Sequence, residues 1–517
     1  MLKQNIKKLR RIMFSQAFIV ILLMLLQLLL IISVITFFRE ALVFLDIFLF
    51  LLTMAAVVSL INSDRDPTYK LAWTVPIMLL PLFGGLFYFY IQGQTVTRRF
   101  FQRVKDIDKF FTERIPQPDK VLEAIRDNYP YRYSTVSYTN RNEYVSYSVF
   151  SNTDVKYYSL GEDCWRDMLE ALESAEKYIF IEYFIIGISE MWGTILDVLK
   201  RKAAEGVDVR VMYDGVGSLL KVPFKYPSEL GRYGIKCKTF MPFVPFLSTL
   251  QNNRDHRKIT VIDGKVAFNG GINLDDEYVN LTSPYGHWKD TAVRLTGDAA
   301  YSFAVIFLQM WQATERTDRI DPADFRPNWD YKAESGGYVM PYADAPNDDY
   351  QIGEFVYMDI INKARNYVHI TTPYLILDNS MKMALINAAR SGVDVKLIIP
   401  GVADHWYAYY VAMEYARELI KKGVEVYEYT PGFIHAKNFV SDEEVAVVGS
   451  INLDFRSLYL HFECATWMLG GPAVADVSKD FDETLSKCHR LTVEDIDARP
   501  LRKRLMSAVL RIFAPLM

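Results

Sequence analysis

Two stretches of the chain carry the same four polar residues at the same spacing. These residues are His256, Lys258, Asp263 and Asn273 in the first stretch, and His435, Lys437, Asp442 and Asn452 in the second. In each stretch the lysine lies two, the aspartate seven and the asparagine seventeen positions after the histidine. The chain has only 7 histidines, so composition alone does not account for the repetition. The spacing predicts that the two stretches form one site.

The residue types in these stretches suit chemistry at phosphorus. Histidine can attack phosphorus or donate a proton, because its ordinary pKa lies near neutrality. Lysine and asparagine provide positive charge and hydrogen-bond donors for oxygens that gain negative charge in a transition state. Neither stretch alone provides both an attacking group and an acid for the leaving group. Together they predict a phosphodiester site that works without a metal.

Each stretch reads HxKxxxxD and is followed by a glycine-containing GxxN segment, at residues 270–273 and 449–452. This pattern resembles the signature of the phospholipase D superfamily, which most members carry twice. With its apolar N-terminal region, nearly the whole chain is similar to the bacterial cardiolipin synthases of the phospholipase D type. One departure is small: Gly271 stands where the second copy has Ser450, so a hydroxyl is missing and the backbone N–H remains.

The resemblance implies roles for twelve residues. The implied catalytic residues are His256, Lys258, Asp263, His435, Lys437 and Asp442, the phosphate-binding or supporting residues are Asn273, Asn452, Gly271 and Ser450, and the histidine-orienting residues are Asp290 and Glu463. An orienting acid would hold the ring nitrogen opposite the reacting one. The two aspartates of the motif are expected to be structural partners of nearby donors or of the opposite loop. In the family the N-terminal histidine is usually the nucleophile, whereas the sequence itself is symmetric on this point.

The N-terminal region contains three apolar segments. Residues 14–38 and 71–91 have no charged residue, and residues 41–61 contain only Asp46. Each is long enough to cross a bilayer core, which takes roughly 20 residues. The first exceeds the apolar core of a signal peptide and is followed directly by the second, which favours retained helices. The third contains two prolines and two glycines, so it is predicted to be either a span or a re-entrant segment, with the span preferred.

The basic residues around these segments favour conflicting orientations. Residues 1–11 contain five basic residues and no acid, and a second basic cluster lies at residues 98–105. Both clusters are expected in the cytoplasm, which three full spans do not allow. Either the third segment does not cross or one basic cluster lies on the outer face.

The rest of the chain is predicted to be an α/β protein with an internal repeat. Gly-Val-Asp-Val occurs at residues 206–209 and again at 392–395, and apolar strands alternate with helices, as in a sheet covered on both faces. We predict N-terminal transmembrane helices followed by two phospholipase D-like α/β sandwich domains related by a pseudo-twofold axis. The predicted regions are a membrane region at 1–95, a basic and aromatic linker leading into the catalytic part at 96–150, the two halves at 151–330 and 331–490, and a basic amphipathic segment at 491–517.

The resemblance also implies an activity. One phosphatidylglycerol would pass its phosphatidyl group to another through a phosphatidyl-histidine, releasing glycerol and yielding cardiolipin. Alternatives are a membrane phospholipase D, a phosphatidyltransferase that uses another alcohol and, less favoured, a non-catalytic membrane scaffold. A net charge of −4 and the apolar segments disfavour nucleic acid as a partner. No cofactor is expected, the four cysteines have no metal-ligand spacing, and a multi-pass protein of the bacterial cell membrane is predicted, with its oligomeric state open.

Overall fold

The protein is described from a computed structural model. The described residues are 22, 25–29, 32–33, 42–63, 67–92, 95–112, 115, 118–140, 147–243, 249–314, 320–346 and 351–514. The chain divides into two compact units, an N-terminal unit within Met1–Phe101 and Phe243–Asn253, and a larger unit within Gln102–Pro242 and Arg254–Pro515. The larger unit contains both predicted catalytic halves and is called the catalytic unit below. Most of the first predicted span, 14–38, lies outside the described residues.

The N-terminal part of the described chain is helical. Its helices are α1 (Leu42–Ile61), α2 (Pro67–Leu79), α3 (Pro81–Gln92) and α4 (Thr95–Thr112). Within the described residues, one helical segment is long and apolar enough to cross a membrane, Phe44–Ile61 in α1. This helix coincides with the predicted span at 41–61.

The segment 71–91, predicted to be a span or a re-entrant segment with the span preferred, is not one continuous helix. The segment forms two helices of 13 and 12 residues that fold back on each other, with the Trp73 and Tyr88 rings 5.7 Å apart. Each helix is shorter than the roughly 20 residues that cross a bilayer core. The turn comes at Pro81, which has no backbone N–H to donate. Gly84 permits the close approach, since a Cβ there would lie 2.4 Å from the carbonyl oxygen of Pro76.

The first half of the catalytic unit is built on a seven-stranded sheet in the order β1-β8-β6-β5-β2-β3-β4. Its strands are β1 (Thr153–Tyr158), β2 (Tyr178–Tyr183), β3 (Asp208–Asp214), β4 (Lys236–Phe240), β5 (Lys258–Ile262), β6 (Val266–Gly270) and β8 (Ala292–Gly297). Its helices are α7 (Gly161–Glu173), α8 (Glu190–Ala204), α9 (Tyr226–Gly231) and α10 (Ala300–Ala313). Strands β2, β3 and β4 run parallel, and the remaining pairs are antiparallel.

The second half contains an eight-stranded sheet in the order β17-β12-β11-β10-β14-β15-β16-β9. Its strands are β9 (Tyr338–Asp344), β10 (Tyr367–Thr371), β11 (Asp394–Pro400), β12 (Glu425–Tyr429), β14 (Asn438–Ser441), β15 (Val445–Gly449), β16 (Glu463–Leu469) and β17 (Cys488–Arg490). Its helices are α11 (Ile352–Lys363), α12 (Asn379–Arg390), α13 (Trp406–Ile420), α14 (Phe455–Tyr459), α15 (Pro472–Leu485), α16 (Val493–Asp497) and α17 (Leu501–Arg511).

The two sheets repeat one pattern and meet through short strands. The central order β3-β2-β5-β6 in the first sheet matches β11-β10-β14-β15 in the second. Strand β7 (His287–Lys289) pairs in parallel with β13 (Gly432–Ile434), and Asp255 forms a parallel bridge with Phe462. The predicted α/β class with two related halves is confirmed. Short backbone segments of each half also pair with segments of the other.

Residues 118–140, which lie in the region predicted to be a linker leading into the catalytic part, pack within the catalytic unit. Helices α5 (Asp119–Asn128) and α6 (Tyr133–Asn140) contribute Ile125 and Val136 to the hydrophobic core of the second half. Arg132 is buried and pairs with Glu444 at 2.9 Å. Burial of this apolar face, which the charged composition of the segment conceals, explains the difference.

Candidate active site

The backbone of the opposite half holds each motif histidine in place. His256 precedes β5 and donates its backbone N–H to the Phe462 carbonyl at 2.8 Å. His435 precedes β14 and donates its backbone N–H to the Lys289 carbonyl at 2.7 Å. Both side chains are buried. The predicted meeting of the two motifs at the interface of the halves therefore has a backbone basis.

The orienting acids are crossed between the halves: each motif histidine is hydrogen-bonded to an acid of the opposite half. The Nδ1 atom of His256 lies 2.9 and 3.0 Å from the two carboxylate oxygens of Glu463, which belongs to the second half. The Nδ1 atom of His435 lies 2.7 Å from Oδ2 of Asp290, which belongs to the first half. A carboxylate that accepts a hydrogen bond from Nδ1–H keeps the proton on Nδ1. The lone pair of Nε2 is then free to react.

Gly271 and Ser450 lie beside these carboxylates. The Ser450 hydroxyl donates to Oε2 of Glu463 at 2.5 Å. At the equivalent place in the first half there is no room for a side chain, because a Cβ on Gly271 would lie 2.1 Å from Oδ1 of Asp290. The departure noted in the sequence thus follows the orienting acid: serine accompanies glutamate, and glycine accompanies the shorter aspartate.

The two motif lysines place positive charge beside the histidines. The Lys258 ammonium donates to the His256 carbonyl at 2.6 Å, and the Lys437 ammonium donates to the His435 carbonyl. Burial lowers the pKa of Lys258 to about 8 and the pKa of Lys437 to about 7. A buried anion placed between these groups would stabilise their charged forms, which suits a phosphodiester.

Without a bound anion, both imidazoles are neutral near pH 7. Burial, followed by the charges of Lys258 and Lys437, holds the pKa of His256 well below its usual range. Burial and Lys437 lower the pKa of His435 to about 4, although Asp290 raises it. A neutral imidazole is the form that can attack phosphorus. A bound phosphate anion would raise the pKa of either ring by offsetting the lysines.

The motif aspartates hold turns within their own halves and lie away from the imidazoles. Asp263 accepts the backbone N–H groups of residues 176–178, each at 2.8 Å, and Asp442 accepts those of residues 365–367 at 2.8 to 3.0 Å. Both adopt a left-handed backbone conformation, with φ of 53° and 58°. Strand β5 separates Asp263 from His256, so the implied catalytic role of these residues is corrected to the expected structural one.

The two asparagines occupy buried positions close to the motifs. Oδ1 of Asn273 accepts the backbone N–H of Ile185 at 3.1 Å, which fixes the direction of the side-chain amide. Oδ1 of Asn452 is buried and has no hydrogen-bond partner among the residues that the structure describes. A buried polar atom of this kind is costly unless a ligand or water satisfies it.

Aromatic rings and a third histidine also line the site, although little in the sequence marks them as site residues. The Phe184 ring lies 4.9 Å from His256, and the rings of Trp288 and Tyr278 lie 5.4 and 5.7 Å from His435. His461 is 5.5 Å from His256 between ring centres. In the sequence, only its position two residues before Glu463 links His461 to the site. In an extended segment, residues two positions apart lie on the same side.

One group in the described part of the chain could hold a metal ion. Potential ligand atoms of His256, His461 and Glu463 lie within 4.8 Å of one another. The Glu463 carboxylate already accepts hydrogen bonds from His256 and Ser450. Two lysines also act electrostatically on His256, and their charge opposes a cation and favours an anion. The donor set therefore fits a phosphate group better than a metal.

The lowered pKa values of Lys258 and Lys437 predict how the activity depends on pH. An ammonium group is charged below its pKa, so in the free protein the positive charge of the site is lost as pH rises through about 7 for Lys437 and about 8 for Lys258. We expect kcat/KM for a phosphodiester substrate to fall across this interval. The alkaline fall of kcat should come at higher pH, because the bound anion raises both pKa values. A kcat/KM profile that stays flat from about pH 6 to 9 would contradict the assignment.

Comparison with known proteins agrees with this geometry. The family model "Cardiolipin synthase, PLD-like domain" matches residues 168–311 and 357–485, and "Phospholipase_D-nuclease N-terminal" matches residues 51–93. A cardiolipin synthase of Geobacillus kaustophilus is 32% identical over 465 residues, covering 90% of this chain and 91% of that protein. An uncharacterized protein of Streptococcus mutans is 43% identical over 464 residues, covering 90% of this chain and all of that protein.

A solved structure shares the fold. Phosphatidylserine synthase of Haemophilus influenzae superposes with a TM-score of 0.54 at 15% identity, covering 70% of this chain and 93% of that one. At this identity the likeness concerns the fold alone, with its two related halves. The matched family models and the relatives that align over about 90% of both chains lead to one conclusion: the chain belongs to the cardiolipin synthase family of the phospholipase D superfamily.

Proposed function

We propose that the protein is a cardiolipin synthase that transfers a phosphatidyl group from one phosphatidylglycerol to another and releases glycerol. The observation that carries the proposal is the pair of buried motif histidines, each bonded through Nδ1 to a carboxylate of the opposite half. Family membership supports the phosphatidyltransferase class. Two such imidazoles can divide the work of nucleophile and acid between them.

In the first step Nε2 of His256 attacks phosphorus. The bond between phosphorus and the glycerol headgroup oxygen breaks, and His435 donates a proton to that oxygen. The anion bound near Lys258 and Lys437 raises the pKa of His435, which allows it to carry this proton. The products of this step are free glycerol and a phosphatidyl group on His256.

In the second step the hydroxyl group of another phosphatidylglycerol attacks the same phosphorus. His435 accepts the proton of that hydroxyl, the phosphorus–nitrogen bond breaks, and His256 returns to its neutral form. Lys258, Lys437, Asn273 and Asn452 stabilise the negative charge on the phosphate oxygens in both steps. One phosphodiester replaces another, so no nucleotide is needed to drive the reaction.

The product test separates this proposal from its alternatives. Purified protein incubated with phosphatidylglycerol alone should yield cardiolipin and glycerol in equal amounts, measured by mass spectrometry and an enzymatic glycerol assay. Turnover should persist in the presence of a chelator, because lysines supply the positive charge. Phosphatidic acid as the only lipid product would favour a hydrolytic phospholipase D. Loss of turnover that a transition metal restores would contradict a metal-free site.

For the membrane region we propose two spans followed by a re-entrant hairpin. Helix α1 can cross the bilayer, whereas α2 and α3 are each too short to do so. With a first span at 14–38, both basic clusters then lie in the cytoplasm, which removes the conflict in the charge pattern. In intact cells, a membrane-impermeant thiol reagent should label Glu40→Cys and leave Gln94→Cys unlabelled. The reverse labelling would contradict this topology.

A further inference from the structure

The loop between β3 and α9 presents large apolar side chains to solvent. In this 216–225 loop, 96% of Leu220 and 86% of Phe224 are exposed, and Leu219 is 44% exposed. The loop contains two lysines, Lys221 and Lys225, and no acid. Exposed apolar side chains grouped with positive charge mark a surface that meets a partner.

The base of the 216–225 loop is held firmly. Oδ1 of the buried Asp214 accepts the backbone N–H groups of Val216 at 2.7 Å and Gly217 at 2.9 Å. A Cβ on Gly217 would lie 2.4 Å from the carbonyl oxygen of Phe184, so the loop packs directly on that residue. The exposure of the loop tip therefore results from a rigid base that directs the tip outward.

The same base connects the loop to the active site. The Ser218 hydroxyl accepts the backbone N–H of Ile186 at 3.0 Å and donates to the Phe184 carbonyl at 3.2 Å. The ring of Phe184 contacts the His256 ring, with 4.9 Å between their centres. Phe184 therefore contacts both His256, the proposed nucleophile, and Ser218 at the base of the loop.

The second half has an exposed apolar pair at the equivalent position. Strand β11 corresponds to β3 in the repeated sheet order, and it is followed by Val402 and Trp406, which are 40% and 57% exposed. Tyr374 bonds to Asp404 within this segment at 2.6 Å. Tryptophan favours the interface between lipid and water. Equivalent loops of both halves therefore present apolar groups beside the strand ends.

We propose that the 216–225 loop inserts into the surface of an anionic lipid bilayer and brings the phosphatidyl headgroup to His256. The proposal rests on the proposed function and adds the route by which its substrate enters. Lys221 pairs with Asp275 at 2.7 Å and lies 3.7 Å from Glu277, so its charge is largely compensated. Lys225 is exposed beside Phe224 and supplies the positive charge that selects the occupant, because lipid bilayers combine acyl chains with anionic headgroups.

The first test measures insertion directly. An environment-sensitive fluorophore on Leu220→Cys in the full chain, reconstituted into phosphatidylglycerol vesicles, should show blue-shifted emission and quenching by lipid-borne quenchers. The matched control is the fluorophore on Tyr233→Cys, which is 51% exposed and precedes β4, at the end of the parallel strands β3 and β4 that lies opposite the loop. Signal from the four native cysteines is subtracted using the unsubstituted chain.

The second test measures the consequence for turnover. We expect Leu220→Ser with Phe224→Ser to reduce the rate on phosphatidylglycerol vesicles at least tenfold and to change the rate on monomeric short-chain phosphatidylglycerol less than twofold. Tyr233→Ser should leave both rates unchanged. Both substituted loop residues are exposed, so the fold does not depend on them.

The outcomes separate this proposal from the proposed function. Equal emission from positions 220 and 233 in vesicles would overturn insertion. A blue shift that depends on protein concentration and not on lipid would overturn it too, because it identifies a second copy of the chain as the occupant. Lipid-dependent insertion by a protein that makes no cardiolipin would support the proposed insertion of the loop and contradict the proposed activity.

Discussion

We expect His256→Ala to abolish the formation of a phosphatidyl-enzyme from every phosphodiester substrate, whereas His435→Ala should slow only the turnover of substrates such as phosphatidylglycerol, whose leaving group needs a proton. This is the expected result if His256 attacks and His435 protonates the leaving group. General acid catalysis contributes roughly 10²–10⁴-fold, so loss of His435 should slow phosphatidylglycerol turnover by about that factor. Loss of the nucleophile should remove activity entirely.

A substrate with a nitrophenol leaving group distinguishes the two roles. Nitrophenolate departs without a proton, so His435→Ala should still release it in a first burst and trap the covalent intermediate. Mass spectrometry of the quenched protein should then show the adduct on His256. His256→Ala should give neither burst nor adduct.

An exposed histidine provides the matched control. His489 is 56% exposed and pairs with Asp495 near β17, so His489→Ala should keep full activity. A burst from His256→Ala together with none from His435→Ala would exchange the two roles. Substantial phosphatidylglycerol turnover by either motif variant would contradict a shared site.

The second prediction concerns the crossed carboxylates. Glu463→Gln should act on His256, since the Ser450 hydroxyl would hold the amide oxygen and turn the amide N–H₂ toward Nδ1. Nδ1 would then have to accept, which moves the proton to Nε2 and blocks attack. We expect a loss of about tenfold to a hundredfold or more, typical for partners that set the tautomer of a histidine.

The nitrophenol burst shows which acid orients which histidine. Glu463→Gln should slow the nitrophenol burst, whereas Asp290→Asn should leave it intact and slow phosphatidylglycerol turnover, because Asp290 acts on His435. Unchanged thermal unfolding of both variants would show that packing is not the cause. A slower burst in Asp290→Asn with a normal burst in Glu463→Gln would mean that each acid serves the histidine of its own half.

Several features follow from the sequence because they depend on local composition or spacing. Two copies of one spaced motif are enough to predict phosphodiester chemistry and two related halves, and the strand at 207–212 with its repeat predicts the α/β class. The apolar run at 41–61, in which Asp46 is the one charged residue, predicts a helix able to cross a bilayer. The family resemblance implies that Asp290 and Glu463 orient histidines, and the structure places each acid beside one.

Tertiary structure decided what depends on contacts between distant residues. Glu463 lies 207 positions from His256, and Asp290 lies 145 positions from His435, so spacing carries no information about which acid meets which ring. The turn at Pro81 and the packing of residues 118–140 on the second half likewise depend on close approach and burial. Motif spacing thus determined the chemistry of this protein, and the packing of one half on the other decided which side chain serves which histidine.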